Sequence, residues 1–129
     1  MFLSKNKYGI AWSLLILLVC LMPANNLPSS SFLSFKGADK LIHFALYAVL
    51  LILVGKGLVN YFKSSYSINR IIFIAFLYCF FLGVGIELLQ SIFVVGRLGD
   101  IFDVLANAIG ASTGIVILTA HLKKRARKT

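Results

Sequence analysis

The sequence predicts an all-α membrane protein: a small bundle of four transmembrane helices with both termini in the cytoplasm. Three observations carry this. The 129 residues are 60% hydrophobic and only 13% charged, with a mean hydropathy of +0.93. A soluble domain is about a quarter charged and near half apolar, so this chain is composed to be solvated by lipid. Its apolar residues gather into four runs, each approaching or exceeding the roughly 20 residues that a crossing needs. Its lysines and arginines are divided unevenly between the connecting segments, which is the pattern that sets orientation.

The first run covers about residues 8–24, behind a short tail carrying Lys5 and Lys7. A basic tail and an apolar stretch also open a signal peptide, but LMPANN offers no clean small-x-small cleavage site, so a retained helix is expected. PANNLPSSSFLSFKGADK follows, with both prolines of the chain and four of its serines. Such clusters break a helical pattern and read as an extramembrane loop. The second run, about 40–59, includes Lys56, which near a helix end extends its ammonium to the interface. Tyr61 to Arg70 is polar enough for a loop. The third and fourth runs cover about 71–95 and 103–122. Hydrocarbon offers no partner to a backbone amide, so all four runs are expected as helices. They form a single domain, residues 1–129, with no heptad, solenoid repeat or low-complexity tract.

Orientation follows from the cations. The N-terminal tail, the second loop and the C-terminal tail hold Lys5, Lys7, Lys56, Lys63, Arg70, Lys123, Lys124, Arg125, Arg127 and Lys128, against Lys36, Lys40 and Arg97 on the other side. Ten against three places both termini in the cytoplasm and the protein in the cell membrane, multi-pass. The terminal KKRARK then reads as an anchor on anionic lipid headgroups. With no aromatic platform beside those charges, a nucleic-acid partner is not expected. Cys20 and Cys79 sit inside apolar runs without CxxC spacing and read as small buried residues.

Against this background GRLGDIFDVLAN (96–107) stands out. The chain has four acidic residues, Asp39, Glu87, Asp100 and Asp103, and the expected topology turns all of them outward. Glu87 lies nine residues before Gly96, about 13 Å below the outer end of an unbroken helix. Spacing groups the polar residues further. Asp39, His43 and Tyr47 recur every four residues on the second helix; Gly83, Glu87 and Gln90 share a stripe on the third. Asp100, Asp103, Asn107, Gly110 and Gly114 run at three- and four-residue steps on the fourth. GASTG, at the end of that series, has the small-xxx-small form that admits close helix approach. Charges in lipid are costly and turn toward the bundle interior, so three such stripes converge on one pocket.

Structural readings stand beside the functional ones. Asp39 caps the second helix, or Asp100 and Asp103 cap the fourth with Arg97 as ion-pair partner. His43 hydrogen-bonds within the bundle without titrating, and Asn107 is a helix–helix contact. Glu87, in mid-run between Ile86 and Leu88, has no end to cap and needs a partner among Arg97, His43 and Gln90.

DKLIHFALYAVL (39–50), IELLQ (86–90) and GRLGDIFDVLANAIGASTG (96–114) together resemble the sequence blocks of VanZ-like membrane proteins, in the same order and over more than half the chain. The family is named for a protein linked to resistance against the glycopeptide teicoplanin. The resemblance implies a small multi-helix membrane domain at the cell envelope and an influence on glycopeptide susceptibility, but it defines no reaction.

Two functions fit. In one, a membrane-embedded site acts on or binds an envelope molecule, such as a lipid-linked precursor, at the extracytoplasmic face. His43 supplies the acid and base, Glu87 passes protons and Asp103 orients or ligates. Asp39, Lys40, Tyr47, Gln90, Arg97, Asp100 and Asn107 form the binding set, with Arg97 able to hold a phosphate or carboxylate through two hydrogen bonds. One imidazole and several carboxylates are hard metal ligands, yet no HExxH or DxD-type spacing specifies a metal, and no cofactor is indicated. In the alternative the protein is a non-catalytic envelope scaffold that binds a partner membrane protein, with the polar cluster as its recognition core. Membrane lipid is a partner in both.

Overall fold

The computed structural model describes residues 1–22, 37–62, 65–94 and 99–128. It is all-helical over the regions expected: α1 (Phe2–Cys20), α2 (Ala38–Phe62), α3 (Ile68–Phe93) and α4 (Ile101–Ala126). Most helix ends extend past the apolar runs, because a helix stops where its backbone finds other partners and not where hydropathy falls. α1 begins six residues before the apolar run; Lys5, Asn6 and Lys7 continue the helix, and Asn6 donates back to the Phe2 carbonyl at 3.0 Å. α4 runs on through Lys123, Lys124 and Arg125, cations that complement the negative end of the helix dipole. Two ends fall short instead: α1 stops at Cys20, before the expected residue 24, and α3 stops two residues short of Val95, as Val94 turns extended with φ −102° and ψ 106°.

Three of these helices, α2, α3 and α4, are long and apolar enough to cross a membrane. α1 is not among them, since Lys5, Asn6 and Lys7 dilute its first turns. Phe73, Phe81 and Ile92 of α3 and Phe102, Ile109 and Val116 of α4 are exposed, an apolar surface that water would not leave uncovered.

α2 is the central helix, packed on α1, α3 and α4, while α4 also lies against α3. The α2–α4 seam is closed by small residues. A Cβ at Gly110 would overlap the Phe44 carbonyl oxygen, and one at Gly114 would stand 2.6 Å from the Ala48 carbonyl oxygen. In lipid the solvent is as apolar as the side chains, so close packing, not expulsion of water, holds such a seam. Leu50, Leu51, Ile71, Ala75, Cys79, Ile86 and Ala111 fill the core around it, with Ile16 contributed by α1. Polar ties add to this. The Trp12 indole N–H donates to the Leu46 carbonyl at 3.0 Å, and the Ser13 and Tyr78 hydroxyls meet at 2.9 Å. Cys20 and Cys79 are buried and are not joined in a disulfide.

The antiparallel order of the helices sorts charge. The start of α1, the end of α2, the start of α3 and the end of α4 share one end of the bundle, where Phe2, Tyr61, Phe62 and Tyr66 form a chain of ring contacts. The end of α1, the start of α2, the end of α3 and the start of α4 share the other, and all four acidic residues are there.

Candidate functional site

At the acidic end, Asp100 ends the loop before α4 as its N-cap: its carboxylate accepts from the Phe102 N–H at 2.8 Å. Its backbone N–H in turn donates to Glu87 Oε2 at 3.2 Å, which ties the start of α4 to α3. Gly99 packs directly on that turn. A Cβ there would lie 3.1 Å from the Glu87 carbonyl oxygen, too close for a side chain to pass unaccommodated. The capping reading of Asp100 therefore holds, and the residue is more than a cap. Asp39 is not the cap of α2, because Ala38 already begins the helix and Asp39 lies within its first turn.

The cation of this end is Lys40. Its ammonium donates to Asp100 Oδ2 at 2.8 Å, Asp103 Oδ1 at 3.2 Å and Asp39 Oδ2 at 3.3 Å. One side chain of α2 thereby gathers the two aspartates of α4 that are 60 and 63 residues away. The Lys40 ammonium and the Phe102 N–H hold the Asp100 carboxyl below the ordinary carboxylate range. The Asp39 and Asp100 side chains are half exposed, and Asp103 is much less so. Lys40, Asp39 and Asp100 form a rim, and Asp103 lies at its inner edge.

Below the rim lies a buried layer. His43, Glu87 and Asn107 are each at most 6% exposed. His43 Nδ1 is 3.1 Å from Asn107 Oδ1 and 3.9 Å from Glu87 Oε1. One ligand-type atom from each of His43, Glu87 and Asp103 can be chosen so that all lie within 4.8 Å of one another. The stripes on α2, α3 and α4 thus meet as their spacing implies. Gly83 makes the room: a Cβ there would stand 3.0 Å from Asn107 Nδ2 and 3.4 Å from the Tyr47 ring. Tyr47 itself is buried, one turn below His43, and its hydroxyl has no hydrogen-bond partner among the described residues; nor has Asn107 Nδ2.

Not every candidate joins the cluster. Gln90 turns away to α1, donating from Nε2 to the Cys20 carbonyl at 2.7 Å, so it fastens α1 to α3. Arg97 lies outside the described residues, and so does Gly96. Among the described residues, Lys40 is the ion-pair partner of Asp100 and Asp103. The sequence marks Lys40 only as part of a motif; nothing in it says which acids a lysine at a helix start will reach. Gly99 reads as a turn former, and its packing on Glu87 has no sequence signal beyond the small residue.

A family described as VanZ/LLP1 matches residues 3–122. The chain belongs to the VanZ/LLP1 family. The match covers all four helices except their outermost residues, and so includes α1, which the resembling blocks leave out. No curated relative and no solved structure matches the chain. Within this VanZ/LLP1 member, the side chains of the DK, H, E, D and N positions of the three blocks stand together at the acidic end, where carboxylates, an imidazole, a carboxamide and an ammonium lie close to one another.

Proposed function

We propose that this VanZ/LLP1 protein is a multi-pass protein of the cell membrane, with α1 as a fourth span and both termini in the cytoplasm. Its acidic end then lies at the extracytoplasmic face and binds, and acts on, a component of the cell envelope. The observation that carries this reading is the convergence of all four carboxylates with His43, Asn107 and Lys40 at one end, opposite the end rich in cations. Buried ionisable groups are costly in a membrane and are kept where they serve a site. His43, Glu87 and Asp103 are the reactive centre; Lys40, Asp39 and Asp100 form its rim, and Asn107 its floor. A lipid-linked precursor suits such a site, because its headgroup arrives at the rim while its tail remains among the exposed apolar residues of α3 and α4. Altered glycopeptide susceptibility would follow from a change in that component.

The experiment is complementation of a deletion strain, scored by envelope integrity and teicoplanin susceptibility at matched membrane levels. His43→Asn, Glu87→Gln and Asp103→Asn each keep size and hydrogen bonding while removing the ionisable group. Loss of function in all three supports a chemical centre. Full complementation by all three would make the protein a scaffold whose polar residues only hold helices together.

A further inference from the structure

We propose that the centre of this site is a divalent-cation site, with His43 Nδ1, one oxygen each of Glu87 and Asp103, and Asn107 Oδ1 as ligands. This deepens the function proposed above, on which it rests only for the site's use in the cell.

Three observations lead there. The first is spacing. Ligands on one ion with bonds of about 2.1 Å stand about 3 Å apart when adjacent and about 4.2 Å when opposite. His43 Nδ1 and Asn107 Oδ1 are 3.1 Å apart, and His43 Nδ1 and Glu87 Oε1 are 3.9 Å apart. Ligand atoms of His43, Glu87 and Asp103 all lie within 4.8 Å of one another. Rotamer adjustments of well under about 1 Å close this set around an ion, within the reach of side chains that come from three separate helices.

The second is charge. Lys40 is shared by three carboxylates. Even with Lys36 and Arg97 of the same side of the sequence counted, carboxylates outnumber cations four to three. A cation is the ligand that this excess favours, and in a low-dielectric layer it is favoured strongly.

The third is a donor without an acceptor. Asn107 is 2% exposed, its carboxamide lies against the His43 ring, and its Nδ2 has no partner among the described residues. The Tyr47 hydroxyl, one turn deeper, is in the same condition. An ion that takes Oδ1 as a ligand and carries water on its open positions supplies oxygen acceptors at this depth.

The ligand set is one imidazole and three oxygens. Oxygens suit Mg²⁺, Ca²⁺ and Mn²⁺ and imidazole suits Zn²⁺ and its neighbours, so Mn²⁺ answers both and is the probe. The full chain in lipid nanodiscs, stripped with chelator, is titrated with Mn²⁺ and followed by electron paramagnetic resonance, in which the six-line signal of the free ion disappears on binding. One ion per chain is expected, with nitrogen modulation from the imidazole that is absent in His43→Gln. Glu87→Gln and Asp103→Asn each weaken binding at least about tenfold. Lys40→Met binds at least as tightly as wild type, because it removes the cation that competes for Asp103. No saturable binding by wild type, or undiminished binding in both carboxylate variants, overturns the proposal. So does loss of binding in Lys40→Met together with the ligand variants, which would trace to the fold and not to ligation. The assay uses purified protein, so an ion site found beside full complementation by the variants refutes the envelope function and leaves the ion site standing.

Discussion

Replacing Gly110 with alanine tests whether the α2–α4 seam is what assembles the site. On an open helix surface the change is favourable, since glycine costs up to about 1 kcal/mol relative to alanine. Gly85 is such a position, with nothing within 4 Å of an added Cβ, whereas the same atom at Gly110 would overlap the Phe44 carbonyl oxygen. That neighbour is backbone and has no rotamer to yield. α2 and α4 must move apart by something on the order of an ångström, and overpacking of this kind costs about 1–3 kcal/mol. The gain in helix propensity is common to both variants, so they should differ by the overpacking cost alone, about 1–3 kcal/mol in unfolding free energy. Steric-trap unfolding in bicelles measures this directly. Gly110 is three residues beyond Asn107 on α4, so the displacement should also separate Asn107 from His43 and abolish complementation. If Gly110→Ala is as stable as Gly85→Ala and complements fully, close approach of the helices is not what builds the site.

Gly83→Ala should crowd Asn107 Nδ2, where an added Cβ would stand at 3.0 Å, and impair function more than stability; equal losses of both would count against it. Gln90→Ala should loosen α1 from α3 at a cost of about 0.5–1.5 kcal/mol for the lost hydrogen bond. Disulfide trapping between cysteines placed near Leu21 and Phe93 should then become less efficient, and an unchanged yield would deny Gln90 its fastening role. Lys40→Met should lower the melting temperature most in low salt, the gap to wild type narrowing as salt is raised; a salt-independent gap would refute its ionic origin. For topology, an impermeant thiol reagent applied outside should label a cysteine at Ser30 and spare ones at Ser65 and Thr129. The reverse pattern would invert the protein and move the acidic end to the cytoplasm.

What the sequence made legible is what periodicity encodes. Asp39, His43 and Tyr47 on one stripe, and Asp103, Asn107 and Gly110 on another, follow from 3.6 residues per turn. Gly110 and Gly114 mark the close seam because a small residue every four positions has no use on a lipid-facing surface. Pairings across long separations were not legible in the same way. That Lys40 meets Asp100 and Asp103 depends on the offset of α2 against α4, and nothing local fixes that offset. Gln90 shares the stripe of Glu87 and reads as a site residue, yet α1 lies close enough for Cys20 to offer it a carbonyl. Helix ends were missed for a related reason. Hydropathy marks where lipid can stop, while the Phe2, Asn6 and Lys123 regions remain helical on backbone hydrogen bonds and the helix dipole.

That α4 lies against α2 has a consequence for biogenesis. The ribosome delivers α2 and α3 to the membrane before α4 exists, so for a time α2 must display to lipid the carbonyls of Phe44 and Ala48 that Gly110 and Gly114 later cover. During that interval His43 has no Asn107 to face, and Lys40 has only its neighbour Asp39 within the helices already made. Completion of the site is thus coupled to arrival of the last helix. A chain halted before α4 would leave that seam on α2 uncovered and the site without Asn107.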